Sequence, residues 1–304
     1  MGEDARSWLR LGISNRFYKN DGDDELRTLA TAWLTEYAFN KRAQLDYEVA
    51  GVLCRIAPDE ARDFLLSDRV LGADEYTRKV AFRELARNAI WINADTARPL
   101  VGAESDPEAL ASLLHASVRH LRLEDWQPAF DKLLAHAPRM EDRLSRSMFT
   151  DTLLDILAVW LGHDGYAGLA ALGEPADELT PLQRGLNTLE LLDIETNNGG
   201  LLQYFFNSSG ANWTYALATL ERIGADQVHA IVSEATETIG LAPDDRSRDA
   251  IHPRLEHLST KQETRLTDLS STYYEQSFTM KLRICKYIAK RQSELRKRAG
   301  TDPA

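Results

Sequence analysis

The stretch ETNNGGLLQYFFNSSG at residues 195–210 sets the architecture of the C-terminal half of the chain. Residues 182–196 before it and residues 213–223 after it carry apolar side chains at helical spacing. Residues 197–200 (NNGG) must break or sharply bend a helix, because Asn and Gly tolerate positive φ values. A short apolar segment follows, and then a second polar break. We therefore predict helices on both sides of a glycine bend.

The remainder of this half also has a helical pattern. We predict a helix over residues 226–240 and a polar loop over residues 242–256, because the loop contains Pro243 and Pro253. Two further helices are predicted near residues 260–275 and 279–298.

The N-terminal half shows the same period. Apolar residues recur every three or four positions through residues 24–161, in successive segments of about 12–18 residues, and no alternating strand pattern appears. Asp74 and the pair Asp106-Pro107 are typical helix starts. The fold class is thus all-α, and short breaks between helices favour an N-terminal array of antiparallel helix pairs, HEAT-like in shape.

A dense glycine cluster at residues 162–168 is the strongest break in the chain. It predicts two domains: residues 1–165, a helical domain of unknown role, and residues 166–304, a second helical domain. The alternative is a long loop inside one continuous helical body.

The net charge of −11 is unevenly placed. Residues 151–250 hold 4 basic and 16 acidic side chains, whereas residues 251–304 hold 11 basic and 6 acidic ones. This pattern argues against direct nucleic-acid binding by the acidic block and favours a basic protein as partner. The alternative is that the acidity serves solubility alone.

Features of targeting indicate a cytoplasmic protein. No apolar signal core follows the N-terminal MGEDAR, and no uncharged apolar run reaches the ~18 residues of a membrane span. Cys54 and Cys285 are the two cysteines, which fits a reducing compartment. We expect neither export nor membrane contact.

The motif at residues 195–210 is more than a helix break. An acidic residue, Asn-Gly-Gly, an apolar residue, Gln-Tyr-Phe and Asn-Ser-Ser-Gly succeed one another there, and residues 216–225 (ALATLERIGA) follow. This order resembles the core of a bacterial DNA-mimic-protein-like domain family, over residues 175–295. The resemblance implies an all-helical domain, and in the best-known member carboxylates on a dimer surface imitate DNA phosphates. That surface lies outside the motif, so the resemblance assigns no acidic residue here.

Spacing alone supplies candidates for such a surface. Phosphates follow one another about every 3.4 Å along each DNA strand, and carboxylates three or four helix positions apart lie about 5–6 Å apart. Glu190 with Asp193, and Glu234 with Glu237, have that spacing. The candidate partner-binding residues are Asp177, Glu178, Glu190, Asp193, Glu195, Asp226, Glu234, Glu237, Asp244 and Asp245. The basic C-terminal end predicts a possible homodimer, in which it would pair with the acidic block of a second subunit.

The motif residues themselves have two interpretations. The glycines could serve a tight turn and the Asn side chains could bond free backbone groups, which is a structural role. Alternatively, polar side chains of the motif could line a small ligand pocket. The residues concerned are Asn198, Gly199, Gly200, Gln203, Tyr204 and Asn207.

No catalytic or metal-binding pattern stands out. The sequence lacks a phosphate-binding glycine loop, a nucleophile elbow, a His-Glu-x-x-His motif and paired Cys spacing, so we expect no enzyme, cofactor or metal. The leading hypothesis is a non-enzymatic inhibitor that binds a basic DNA-binding regulator in the manner of a DNA mimic. The alternatives are an immunity protein that neutralises a toxin, such as a nuclease, and a small-ligand protein or enzyme that uses the pocket at residues 198–207.

Overall fold

A computed structural model describes residues 24–36, 38–39, 44–172 and 178–299. Over these residues the backbone forms helices and turns, and an isolated bridge between Phe39 and Leu45 is the one β interaction. The predicted all-α class is confirmed. Candidate Asp177 lies outside the described residues.

The chain divides into two compact units, residues 1–133 and 134–304. The sequence placed the division at residue 166 instead, on the glycine cluster. Helix Arg143–Trp160 packs against the last helix of the chain, so it belongs to the second unit. The glycine cluster only turns the chain into a short helix within that unit.

The first unit is a succession of short helices. Helix α5 (Glu75–Arg87) packs against α7 (Pro107–Ser117), and α2 (Tyr47–Ile56) packs against both α3 (Pro58–Leu65) and α5. The side chains of Asp74 and Asp106 accept hydrogen bonds from the backbone amides of Thr77 and Ala109, both at 2.8 Å, so the predicted helix starts are confirmed. The HEAT-like shape stays a prediction. The helices are α1 (Asp24–Glu36), α2 (Tyr47–Ile56), α3 (Pro58–Leu65), α4 (Asp68–Leu71), α5 (Glu75–Arg87), α6 (Ala94–Ala103), α7 (Pro107–Ser117) and α8 (Leu123–His136), which contains the division.

The second unit is built around its last helix. This helix, α15 (Thr260–Ala299), packs against α9 (Arg143–Trp160), α11 (Pro181–Phe206) and α13 (Asp226–Ile239). It buries Leu266, Tyr273, Met280, Ile284 and Ile288. The helices are α9 (Arg143–Trp160), α10 (Gly165–Leu169), α11 (Pro181–Phe206), α12 (Trp213–Ile223), α13 (Asp226–Ile239), α14 (Arg248–Glu256) and α15 (Thr260–Ala299).

Two predictions for the second unit are wrong. Residues 242–256 are not one loop, because Ser247 caps α14 by accepting a hydrogen bond from the backbone amide of Ala250, and Pro253 is accommodated within the helix. The two helices predicted between residues 260 and 298 are one helix, α15, since no Gly or Pro interrupts that stretch.

Candidate functional site

The glycine bend divides α11 as predicted. Gly199 has φ −162° and ψ 25°, and Gly200 has φ 78° and ψ −179°, a combination that only glycine adopts readily. A Cβ atom on Gly200 would lie 2.9 Å from the Ser270 hydroxyl. The bend therefore requires glycine both for its backbone geometry and for close contact with α15.

Two side chains of helix α15 bond the backbone at the bend. The backbone amide of Leu201 donates to the Ser270 hydroxyl at 2.9 Å, and the Tyr274 hydroxyl donates to the carbonyl of Thr196 at 2.8 Å. A buried backbone group that is left without any partner costs about 1–3 kcal/mol. Contact with α15 thus stabilises the bend.

The carboxylate of Glu195 binds three polar side chains of the motif. It accepts hydrogen bonds from Gln203 Nε2 at 3.0 Å, from Asn207 Nδ2 at 2.7 Å and from Ser209 Oγ at 3.4 Å. These contacts tie the segment before the bend to the segment after it. Glu195 was predicted on an acidic surface; its carboxylate is instead engaged within the domain.

Asn198 and Tyr204, which were also predicted to line a pocket, lie in different environments. Asn198 is exposed, whereas Tyr204 is fully buried, and its hydroxyl has no partner among the described groups. Burial raises the pKa of Tyr204 above its ordinary value. The motif residues therefore do not line one common pocket.

Another predicted surface residue, Asp193, joins a charge cluster inside the second unit. Lys281 Nζ lies 3.0 Å from Asp193 Oδ2 and 2.6 Å from Asp151 Oδ1, and the side chains of Lys281 and Asp193 are each 8% exposed. The Tyr273 hydroxyl donates to Asp193 at 3.1 Å. Burial acts to lower the pKa of Lys281, but the charges of Asp193 and Asp151 outweigh it and raise the pKa.

Glu190 lies beside this cluster and is half-buried. Desolvation, followed by the negative charge of Asp193, raises the pKa of Glu190 to about 7, although Lys281 acts in the opposite direction. Glu190 and Asp193 therefore do not form an exposed pair of carboxylates. Asp193 follows Leu186 and Leu189 along the apolar stripe of the helix, and a carboxylate in such a stripe was the signal for burial.

The remaining acidic candidates are distributed over the surface of the second unit. Glu178, Asp226, Glu237 and Asp244 are exposed. Glu234 forms an ion pair with Arg265 Nε at 2.7 Å. Asp245 accepts a hydrogen bond from the backbone amide of Ala242 at 2.8 Å and lies 3.5 Å from Arg254. Four of the ten candidates are thus exposed without an ion pair among the described residues.

Helix α13 has the most one-sided charge. It carries Asp226, Glu234 and Glu237 and no Lys or Arg. Asp226 and Glu237 lie eleven positions apart, or about 16 Å along the axis at 1.5 Å per residue. Glu221, in the last turn of α12, is a further exposed carboxylate that the list of candidates omitted.

An open groove of about 400 Å³ lies beside the bend. Gly199, Leu202, Gln203, Phe206, His252, Leu255 and Glu256 line it. Leu202 and Phe206 are 40% and 49% exposed, and the Phe206 ring stacks on His252 with the ring centres 4.5 Å apart. Sequence reasoning missed the groove because its second wall, α14, was taken for a loop.

The described residues include neither a membrane-spanning helix nor a cluster of metal-ligating side chains. None of these helices combines the length and apolar character that crossing a bilayer requires. No group of three or more His, Cys, Asp or Glu side chains in this part of the chain is placed to hold a metal ion.

Comparison with known proteins covers the C-terminal segment. No curated protein and no solved structure matches the chain. Residues 177–291 match the family described as DMP19-like protein, a DNA-mimic family. The matched segment contains the glycine bend, the Glu195 contacts and helices α11 to α14, with most of α15. The family resemblance expected from the motif is confirmed for this segment, which is less than half of the chain.

Proposed function

We propose that the second unit binds a basic protein surface through the carboxylates on and next to α13, in the manner of a DNA mimic. The observation that carries the proposal is the charge of α13, which has three acidic residues and no Lys or Arg. Asp226 and Glu237 are exposed, and neither forms an ion pair among the described residues. Membership of residues 177–291 in a DNA-mimic family supports the same function.

The proposed surface is smaller than the sequence suggested. It consists of Glu221, Asp226, Glu237 and Asp244, from α12, α13 and the loop after α13. Asp193 and Glu195 are excluded, because their carboxylates already bind groups of the same unit. A few unpaired carboxylates can still steer a basic partner, because their attraction acts over about 10 Å at 0.1 M salt.

The proposed partner is a basic DNA-binding protein, and the proposed action is occupation of its DNA-binding surface without catalysis. A partner that normally contacts phosphates presents Lys and Arg side chains, which carboxylates can bind with charge-assisted hydrogen bonds. A toxic nuclease would present similar chemistry. Identification of the captured protein therefore distinguishes a regulator from a toxin.

The experiment compares two double variants with the same change in charge. Asp226→Asn with Glu237→Gln removes two carboxylates from α13, and Glu263→Gln with Asp268→Asn removes two exposed carboxylates from α15. Binding to immobilised protamine, a basic DNA-packaging protein, is measured at 50 mM and 300 mM salt. The proposal expects the α13 variant to lose about tenfold in affinity at low salt, and the α15 variant to lose little.

Capture from a bacterial lysate with the same variants identifies the natural partner. A basic DNA-binding protein retained by the unmodified chain and by the α15 variant, but not by the α13 variant, would support the proposal. Equal loss of protamine binding in both double variants would contradict it, because binding would then follow net charge and not this surface.

A further inference from the structure

The open groove beside the bend leaves apolar side chains in water. Leu202 and Phe206 lie four positions apart on the last turns of α11, and both are at least 40% exposed. Residues at this spacing form one ridge on a helix surface. Exposed apolar groups that are gathered in a concave site mark an interaction surface more often than scattered ones do.

The helix α14, which forms one wall of the groove, carries opposite charges at its two ends. Glu256, the last residue of α14, lines the groove, and no basic group among the described residues pairs with its carboxylate. At the first residue of α14, the guanidinium of Arg248 lies 5.6 Å from the centre of the Phe206 ring and donates to His252 at 3.0 Å. The groove thus offers an unpaired negative charge, Glu256, beside apolar side chains.

Neighbouring arginines do not neutralise the carboxylate of Glu256. Arg254 lies 3.5 Å from Asp245, and Arg246 Nε donates to the carbonyl of Pro243 at 2.7 Å. Both side chains are therefore engaged in the segment that precedes or forms α14. A positively charged group from outside the chain is the complement that Glu256 lacks.

We propose that this groove binds an amphipathic helical segment of the partner, with two apolar side chains on the floor and a Lys or Arg at Glu256. The inference rests on the proposed binding of a basic protein. A helix fits because the ridge of Leu202 and Phe206 can pack between the ridges of a second helix. The apolar contacts supply affinity that salt does not screen, whereas the α13 carboxylates supply attraction that salt does screen.

Three designed 14-residue peptides serve as probes. The first carries Leu at positions i, i+3, i+4 and i+7 and Lys elsewhere; the second replaces each Leu by Ser; the third replaces each Lys by Gln. Binding is measured by fluorescence anisotropy with the full chain, and the contact site by NMR shifts of backbone amides. We expect the Leu–Lys peptide to bind most tightly and to shift the amides of residues 199–206 and 252–256.

Matched variants locate the contact. Leu202→Ser should weaken the Leu–Lys peptide about tenfold, as loss of an anchor in a pocket does, whereas Leu144→Ser, at a leucine that is 68% exposed in α9, should not. Glu256→Gln should weaken it severalfold, whereas Asp249→Asn, on the same helix but outside the groove lining, should have little effect. Circular dichroism of each variant checks that the fold is retained.

Each contrary outcome overturns the inference in a different way. Equal affinity of the Ser–Lys peptide would mean that charge alone binds, which leaves the proposed function intact. Equal affinity of the Leu–Gln peptide would mean a neutral occupant. If Leu202→Ser converted a dimer to a monomer in sedimentation, the occupant would be a second copy of the chain. If neither Lys peptide bound, and the α13 variants left protamine binding unchanged, the proposed function would fail as well.

Discussion

Replacement of Lys281 by Met removes the only positive charge from the cluster inside the second unit while keeping most of the side-chain volume. Asp193, whose side chain is 8% exposed, would keep only the hydrogen bond from Tyr273 at 3.1 Å. Asp151 is 49% exposed, so water can compensate its charge. Breaking a buried pair from one side costs about 3–5 kcal/mol, and the hydration of Asp151 favours the lower end, about 3 kcal/mol.

The measurement is hydrogen exchange with mass spectrometry in increasing urea, read on peptides from α9 and α15. Peptide-level data are needed because the two units need not unfold together. Lys286→Met, at an exposed lysine of the same helix, is the control. Adding Asp193→Asn to Lys281→Met should restore at least 1 kcal/mol, since the stranded charge is gone. A cost for Lys281→Met no larger than that of the control would refute the argument.

Gly200→Ala should lower the free energy of unfolding by about 2 kcal/mol or more, because Ala is strained at φ 78° and its Cβ atom meets Ser270. Gly102→Ala should not lower it, because the space around Gly102 is open. Urea unfolding measures both variants. The raised pKa of Glu190 means that the folded state holds its proton up to about pH 7, so stability should fall as pH rises from about 4.5 to about 7. Glu190→Gln should flatten that slope and, after allowance for partial exposure, raise stability at pH 8 by about 1–2 kcal/mol in thermal or urea unfolding. Protamine binding by Asp226→Asn with Glu237→Gln should vary less steeply with salt than that of the unmodified chain, and an unchanged salt slope would contradict the proposed surface.

The sequence predicted the helices well where residues typical of a helix start or a helix end lie at their boundaries. Gly224 and Gly240 end α12 and α13 in the left-handed conformation, with φ 70° and 80°, and both ends were placed from the sequence. The glycine bend was predicted for the same reason. Helix α14 was not predicted, because it contains a proline and many polar residues. Ile251 is its only buried side chain, so its sequence shows no apolar stripe.

The candidate site was harder to predict, because burial of a carboxylate depends on distant residues. The apolar stripe of α11 signals burial of Asp193, but nothing near Asp193 or Glu195 in sequence tells that the first meets Lys281 and the second meets Asn207. Helical spacing places a side chain on a face but does not tell which face a later helix will cover. Of the spaced pair Glu234 and Glu237, only Glu237 is exposed without an ion pair among the described residues, because Glu234 meets Arg265 of α15.

The dependence of the bend on α15 has a consequence for synthesis on the ribosome. The stabilising contacts join residues 69 positions apart between Leu201 and Ser270, 80 apart between Asp193 and Tyr273, and 130 apart between Asp151 and Lys281. A nascent chain that ends before α15 therefore lacks the Ser270 and Tyr274 hydroxyls that bond the backbone at the bend. The carboxylates of Asp151 and Asp193 then also lack Lys281. The second unit must wait for α15 to emerge, whereas the first unit has all of its residues available much earlier.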